Sequence, residues 1–526
     1  MRLQEHRRSS RISARNHLNG RTMLCVLALA LTEVRPLREK MEHQRITHAN
    51  ETPPAIKQEL GQYFTPGRIA DFMASLFPKA TGNMRVLDPG AGIGSLSCAL
   101  AERIVSEKWD VDSISVDAYE IDQAIVDQLR ENLTACFNGE NCNVNVVNGD
   151  FLSATAAVVS NGESLRYTHV IMNPPYKKIR TVSREREATK AFGLETVNLY
   201  TAFMGAAIVS TVDGGCIVAI VPRSFCNGVY YKPFREFLLE RCAIERIHLF
   251  DSRSTAFKDE SVLQENIIIM VRKNVSQGDV LLTYSKDGSL KDIQSRSVPF
   301  SAIVNPSDQE KYINIPPYEE SEVGNALDRM LSLLKDIGIQ ASTGAVVDFR
   351  AKDELRMKYE EGAVPLLYPV HFKDGRVRWP VESKRPNAIM RTDATAKLFL
   401  PRGYYVVVKR FSAKEEKRRL VASIVTPDDF TNEEIAFENH LNVFMQSKHG
   451  LDRHMAYGLT VWLNTTWLDG KFRLFSGHTQ VNATDLRNLP YPTAEQLSNM
   501  GRMLEAECEW SQEIFDKIAM EVTNGK

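Results

Sequence analysis

The chain has 526 residues; 65 Lys and Arg stand against 66 Asp and Glu, a net charge of −1, and 43% of residues are apolar, 8% aromatic and 25% charged. Such proportions belong to a globular protein and exclude a disordered chain or a collagen-like repeat. The near-zero charge also excludes a protein that coats nucleic acid indiscriminately, while a local basic face stays compatible with it.

In chain order the first feature is an arginine-rich lead, with Arg2, Arg7, Arg8, Arg11, Arg15 and Arg21, followed by the apolar run Met23–Leu31. A basic lead before a short apolar core is the pattern of a secretory signal. This lead is long, however, and the chain beyond it reads as a cytosolic enzyme. Residues 1–54 are therefore expected to be a basic, weakly structured extension, with Met23 or Met41 as alternative starting points. No run approaches the roughly 18 apolar residues that a membrane span needs, so no membrane association is expected. The eight cysteines, Cys25, Cys98, Cys136, Cys142, Cys216, Cys226, Cys242 and Cys508, contain no CxxC pair. Several lie in apolar runs, as small buried hydrophobes do. Neither a zinc site nor a disulfide framework is expected, and a reducing cytoplasm is the natural compartment.

From Ile56 onward, strand-like and helix-like segments alternate. Arg85–Val105 reads as an apolar strand, a glycine turn and a helix, and Ser113–Asp122 as a second strand leading into the helical Gln123–Phe137. Asn143–Phe151, Thr168–Tyr176, Gly214–Pro222, Ile244–Ser252 and Asn266–Lys273 continue the strands. Apolar, β-branched runs separated by helices predict a mostly parallel sheet covered on both faces. That is a doubly wound, Rossmann-like α/β domain over residues 55–275. Residues 276–325 are polar and turn-rich and read as a connection, and Asn325–Gly338 has helical spacing. Residues 326–526, denser in Arg, Lys and aromatics, are expected to form a second domain closed by the helical stretch Thr493–Val522.

The glycine turn is Asp88-Pro89-Gly90-Ala91-Gly92-Ile93-Gly94, a GxGxG pattern rather than the GxGxxG of NAD sites. Glycines let backbone approach a ligand closely, and the following helix N-terminus favours polar or negative groups. Glu120 ends the second strand, where a carboxylate can accept from ribose hydroxyls; taken alone it equally suits an ordinary exposed strand end. Asn173-Pro174-Pro175-Tyr176 follows the apolar run Val170–Met172. Two prolines cannot lie inside a central strand, so they end it and stiffen a turn at the sheet's C-terminal edge, where open α/β sheets bind ligands. The Asn173 carboxamide and the Pro174 carbonyl supply two acceptors, which suit an amino group with two hydrogens to donate. Tyr176 adds a flat face for stacking.

This combination resembles the S-adenosylmethionine-dependent amino-methyltransferases of DNA, specifically the γ-class adenine-N6 enzymes of type II restriction-modification systems, over nearly the whole chain from Leu60. The resemblance implies a Rossmann-like methyltransferase domain, a C-terminal target-recognition domain, and S-adenosylmethionine as cofactor without a metal. It assigns Leu60–Pro66, with Tyr63, Thr65 and Pro66, to the segment that folds over the methionine part of the cofactor. Asp88, Gly90, Gly92 and Gly94 become the glycine loop, and Glu120 the ribose-binding acid. In Asn148–Phe151, Asp150 would accept from the adenine amino group of the cofactor and Phe151 would pack on its ring. Asn173, Pro174, Pro175 and Tyr176 become the catalytic motif. Phe257, in Thr255–Ser261 and with Phe250 close by, would stack on the target base opposite Tyr176. The 32-residue spacing of Asp88 and Glu120 exceeds the usual βαβ value and implies a small insertion. Lys177–Tyr200 reads as a polar, basic, mobile loop that either clamps DNA or is a solvated surface.

The implied reaction is methylation of N6 of an adenine flipped out of double-stranded DNA. It would protect host DNA from a separate cognate restriction endonuclease, and the enzyme is expected to be monomeric and cytoplasmic. Sequence choice would fall to the second domain. Lys373, Arg376, Arg378, Lys384, Arg385, Arg391, Lys409, Arg410, Lys414, Lys417, Arg418 and Arg419 are its candidates for phosphate or base contacts, although most surface Lys and Arg are merely solvated. Ser342–Arg350 and Ser476–Pro492 resemble segments that bound recognition domains in this family. The rival readings are a modification subunit of a multi-subunit restriction system, or an amino-methyltransferase acting on RNA or on protein glutamine. The long C-terminal part favours duplex DNA, and too few residues precede Leu60 for a fused nuclease domain. A DNA-binding factor with a dead methyltransferase domain is disfavoured by the intact Asp88, Glu120, Asp150 and Asn173–Tyr176 set.

Overall fold

Continuous apolar strands need cover on both faces, and the chain meets that need with helices packed over one large sheet. The computed structural model describes residues 37–48, 50, 64–250, 266–306, 308–316, 318, 332–412, 416–475 and 480–523. The chain divides into two compact units, Met1–Asn314 and Ile315–Lys526.

The first unit is built on β1 (Thr81–Pro89), β2 (Asp110–Glu120), β3 (Cys142–Asn148), β4 (Tyr167–Met172), β5 (Thr211–Pro222), β6 (Cys242–Phe250), β7 (Asn266–Lys273), β8 (Val280–Ser285) and β9 (Gln294–Val298). Their order is β3-β2-β1-β4-β5-β7-β6-β8-β9. The first five run parallel. β7 enters antiparallel between β5 and β6, β8 pairs parallel to β6, and β9 closes the edge antiparallel to β8. The order reverses between β1 and β4, so a crevice opens at the carboxyl ends of those strands. The fold is thus the doubly wound α/β domain expected from the alternation. The interior strands are buried: Ile217 to Val221 of β5 and Ile268 and Ile269 of β7 are fully excluded from solvent.

Helices α1 (37–48), α2 (Gly67–Ser75), α3 (Ser95–Ser106), α4 (Gln123–Cys136), α5 (Phe151–Ser160), α6 (Arg184–Ala191), α7 (Leu199–Ser210) and α8 (Lys232–Arg241) complete the unit. Two of them start on aspartates: Asp122 accepts from the Ala124 amide, and Asp150 from the Leu152 and Ser153 amides. Such caps satisfy amides that the helix itself leaves free.

Four expectations are corrected here. Residues 37–48, assigned to a weakly structured extension, form α1, with Met41 and Arg45 buried; Arg38 bridges Asp71 and Glu102, and the Gly67 amide donates to Glu42. Residues 276–325 are not simply a connection, because β8 and β9 lie within them and extend the sheet. Lys177–Tyr200 is no mobile loop: Ser183 caps α6 through the Arg186 amide, and Phe192 and Leu194 are buried beyond it. Cys98 of α3 and Cys136 of α4 face one another as a disulfide, their Cα atoms 5.6 Å apart, because helix packing joins positions 38 residues distant. Residues 1–36 lie outside the described residues.

The second unit holds an antiparallel sheet of Gln340–Thr343, Leu441–Met445, Tyr405–Lys409 and Ala422–Val425. A mixed five-stranded sheet adds Leu355–Arg356, Ala388–Met390, Ala363–Leu367, Glu434–Phe437 and Phe399–Pro401. Helices α9 (Arg453–Leu463), α10 (Thr466–Phe475), α11 (Ala494–Glu505) and α12 (Gln512–Thr523) follow, sharing a core around Trp462, Leu459, Leu497 and Met500. The described part of the helical candidate Asn325–Gly338 is instead a short strand, Ser332–Leu333, and a 3-10 turn, Leu334–Ile337. The strand pairs with Pro490–Tyr491, so tertiary pairing overrides local spacing. No helix among the described residues is long and apolar enough to cross a membrane.

Candidate active site

A cavity of about 410 Å³ sits at the carboxyl ends of β1 to β4. The turn after β1 contributes Gly90 to Ile93, the end of β2 Glu120 and Ile121, the turn after β3 Gly149 and Asp150, and the turn after β4 Asn173 and Pro175. Phe64 and Thr65 close it from the segment before α2. Motifs spread over more than a hundred residues therefore meet at one point, as the topology of the sheet requires.

Glu120 is buried, and both its oxygens accept backbone amides: Oε2 from Gly92 and Oε1 from Asp122, each at 2.8 Å. The acid at the end of β2 thus fastens the glycine turn of β1, while each oxygen keeps a second lone pair. Burial raises its carboxyl above the ordinary value. Asp150 lines the cavity from the start of α5, where its carboxylate already accepts the Leu152 and Ser153 amides. Phe151 is buried and meets Tyr119 edge-on at 5.3 Å and Phe203 at 5.7 Å, giving the cavity an aromatic side.

Asp88 is placed differently from the expectation. It does not line the cavity; it lies beneath the turn, fully buried, with Oδ2 accepting from Ser97 Oγ at 2.7 Å. Its other oxygen, Oδ1, is buried without a partner among the described residues. Burial, with a smaller push from Glu120, raises this carboxyl to about 7. Gly94 likewise stays off the cavity and caps α3 with left-handed backbone, and Pro66 caps α2. Tyr63 and Phe257 lie outside the described residues.

At the turn after β4, Asn173 is half-buried and lines the cavity. Its Nδ2 donates to Thr65 Oγ1 at 3.1 Å, and its Oδ1 accepts from the Tyr176 hydroxyl at 2.9 Å. That hydroxyl also lies 3.2 Å from the Ile220 carbonyl, and the Tyr176 ring meets Tyr200 edge-on at 6.3 Å. Tyr176 does not line the cavity itself. Lining residues that the sequence did not single out include Phe64, Tyr119, Ile121, Arg184 and Glu185. The sequence signal for Ile121 was only its place, a large aliphatic residue directly after the acid that ends β2; the structure leaves it 61% exposed beside the buried Glu120.

In the second unit Lys409 and Arg410 are half-buried at the end of a strand, Arg410 donating to the Asn439 carbonyl, and the other described basic candidates separate into three groups. Arg418 and Arg419 are structural: Arg418 donates to the carbonyls of Leu420, Asn464 and Thr465, and Arg419 is buried. Arg378, Arg385 and Arg391 pair with Asp374, Asp348 and Glu434, and Arg376 lies over Trp510. Lys373, Lys384 and Lys417 are exposed. Lys414 lies outside the described residues.

Residues 85–257 match the family described as Eco57I restriction-modification methylase. The chain is 44% identical over 453 residues to the type II methyltransferase M.BsuBI of Bacillus subtilis, covering 85% of this chain and 90% of that protein. It is 40% identical over 473 residues to the type II methyltransferase M.PstI of Providencia stuartii, covering 88% and 92%. Among solved structures it is similar in fold to the type IIL restriction-modification enzyme MmeI in complex with DNA, at 10% identity and a TM-score of 0.49, over 95% of this chain and 75% of that one. With such identity along nearly the full length of two relatives, the chain belongs to the type II methyltransferases of restriction-modification systems, whose methyl donor is S-adenosylmethionine.

Proposed function

We propose that the protein methylates N6 of an adenine flipped out of double-stranded DNA, and that the mark protects host DNA from a separate restriction endonuclease. The observation that carries this reading is the Asn173 carboxamide, held at the wall of the cavity on the rigid turn that ends β4. An amino-methyltransferase needs two acceptors converging on a planar amino nitrogen. Asn173 Oδ1 and the Pro174 carbonyl are those acceptors in this proposal. By accepting both amino hydrogens they draw the nitrogen towards tetrahedral geometry and turn its lone pair away from the ring. An adenine stacked in a duplex cannot present that nitrogen, so the base must leave the helix. Tyr176 and Phe257 are the proposed faces against it.

The cavity fits the methyl donor in size and chemistry. Its volume of about 410 Å³ is of the small-molecule class, a buried carboxylate stands at one end, and an aromatic and aliphatic side is formed by Phe151, Tyr119 and Ile121. Glu120 would take the ribose hydroxyls, Asp150 and Phe151 the adenine, and Gly90, Gly92, Thr65 and the neighbouring Tyr63 and Pro66 the remainder. Asp88 supports the turn from below. Bound there, S-adenosylmethionine supplies an electrophilic methyl group on a sulfonium. Positioning then accounts for most of the acceleration, without a covalent enzyme intermediate or a metal. The second unit is proposed to recognise the target sequence, and the enzyme to work as a monomer in the cytoplasm.

The decisive experiment uses the full chain, unmethylated duplex DNA and radiolabelled S-adenosylmethionine, with the product hydrolysed to nucleosides. Label in N6-methyladenine is expected. Label in N4-methylcytosine would keep the acceptor geometry and overturn the base. Asn173→Ala should lower kcat by at least about 100-fold while cofactor affinity stays within a few-fold, the signature of an interaction used at the chemical step.

A further inference from the structure

A side chain that reads a base edge does so best when it is already oriented, because freedom lost on binding is subtracted from the affinity gained. The exposed lysines of the second unit are long and unanchored, so they suit phosphates better than base edges. We infer that His440, held by the buried Glu438 and flanked by Phe349, reads a base edge in the major groove of duplex DNA. The inference rests on the proposal that the second unit recognises the target sequence.

His440 stands on the turn between two strands, Glu434–Phe437 and Leu441–Met445, and its backbone is fixed on both sides. Its amide donates to Glu438 Oε2 at 2.8 Å, and its carbonyl accepts from the Arg410 amide at 2.8 Å. Glu438 is fully buried, and its other oxygen, Oε1, faces His440 Nδ1 in a hydrogen bond. The Phe411 ring packs against the imidazole, with centroids 5.0 Å apart. The histidine side chain is nonetheless 39% exposed, and its Nε2 has no partner among the described residues.

Phe349 lies on the adjoining segment. Val346 sits beside Glu438 in a parallel bridge, and the Asn439 amide donates to the Val346 carbonyl at 2.9 Å. The chain after Val346 therefore runs alongside the turn of His440 and enters the short helical turn Asp348–Arg350. That turn is anchored through Asp348, which accepts from the Tyr368 hydroxyl at 2.7 Å and from Arg385 at 3.2 Å. Phe349 is left 77% exposed, with the Arg350 guanidinium 5.5 Å from its ring centroid.

A carboxylate is costly to bury, and Glu438 spends both oxygens on one half-exposed residue. Capping the turn needs only Oε2, so the bond from Oε1 serves to fix the ring. With Nδ1 engaged, Nε2 is the nitrogen left for a ligand, a donor when the ring carries two protons and an acceptor when it carries one. Base edges in the major groove offer partners of both kinds, and the thymine methyl in the same groove suits an apolar neighbour such as Phe349.

The test uses the full chain. Methylation of unmethylated genomic DNA by the parent protein, mapped at nucleotide resolution, first gives the site. Affinities at fixed salt are then measured for a short duplex carrying that site and for one of scrambled sequence, with His440→Ala and Phe349→Ala beside the parent. Each variant should lose about five- to tenfold on the site and stay within about twofold on the scrambled duplex. Binding of S-adenosylmethionine should also stay within about twofold. His440→Ala strips Glu438 of its ring partner, so Phe349→Ala, at an exposed position, carries the test if the histidine variant does not fold. Parental discrimination in Phe349→Ala or in folded His440→Ala would overturn the inference. So would an equal loss on both duplexes, which marks a phosphate contact. If the parent protein itself methylates no DNA or prefers no site, the proposed function fails and this inference with it.

Discussion

Asp88 is the residue whose environment departs furthest from what its position in the glycine motif suggested. One oxygen is bonded to Ser97 and the other is buried without a partner among the described residues, which is the setting of a neutral carboxyl. Burial raises it from the ordinary 3.8 to about 7. Between those values the folded protein keeps a proton that the unfolded chain has released. The stabilisation is therefore fully present below about pH 4 and declines as pH rises to about 7, by about 1.4 kcal/mol per unit. Asp88→Asn, which mimics the neutral form, should remove that decline. Urea midpoints at pH 5 and pH 7.5 check this: the parent should lose more stability across the interval than the variant, and parallel losses would mean the carboxyl is ionised throughout. The motif DPGAGIG thus made the turn legible but not the protonation, because desolvation depends on what packs above and below the residue.

At the scale of elements, the strands and the turns that end them were readable because their cues are local. Apolar β-branched runs, a glycine turn and two prolines each act within a few residues. β9 has no such cue: Gln294–Val298 is mostly polar and exposed at the sheet edge, and only pairing with β8 makes it a strand, whereas β8, Val280–Ser285, is an apolar, mostly buried run set between polar, turn-rich stretches. Helix α1 is amphipathic over too short a length to be separated from the arginine-rich lead, and its partners Asp71 and Glu102 come from α2 and α3. The crossing of α9 and α11 is a further tertiary decision. A Cβ on Gly458 would stand 1.7 Å from the Leu497 carbonyl oxygen, and one on Gly501 would stand 1.9 Å from that of His454. Valine at either position must push two backbones apart and should cost about 3 kcal/mol or more. Gly501→Val should accordingly lower the thermal unfolding temperature of the second unit while S-adenosylmethionine binding by the first unit persists. An unchanged unfolding temperature would show that the helices can separate freely.

For the whole molecule, a net charge of −1 means that DNA affinity must come from where basic groups are placed. The arginines at 378, 385 and 391 are exposed but engaged with carboxylates, and Lys384 and Lys417 are exposed as well. Lys384→Ala and Lys417→Ala should each weaken duplex binding alike on cognate and unrelated sequences. Each should also reduce the slope of log affinity against log salt by about one. Arg391→Ala should leave that slope unchanged. Binding isotherms at several salt concentrations decide it; a slope unmoved by the lysine variants would place the phosphate contacts elsewhere.

The chain by itself determined the α/β alternation, the order of its motifs and the proline-stiffened turn Asn173-Pro174-Pro175-Tyr176, because each rests on residue type and short spacing. Tertiary structure alone decided which of those residues share a wall. It brought Thr65 to Asn173 across 108 positions of sequence, tied Glu120 to the Gly92 amide, and sank Asp88 beneath the turn. It also separated arginines that hold the fold from lysines left to solvent. The physical reason is common to all of these: hydrogen-bond partners, burial and the resulting charge state belong to neighbours in space, which a linear pattern does not contain.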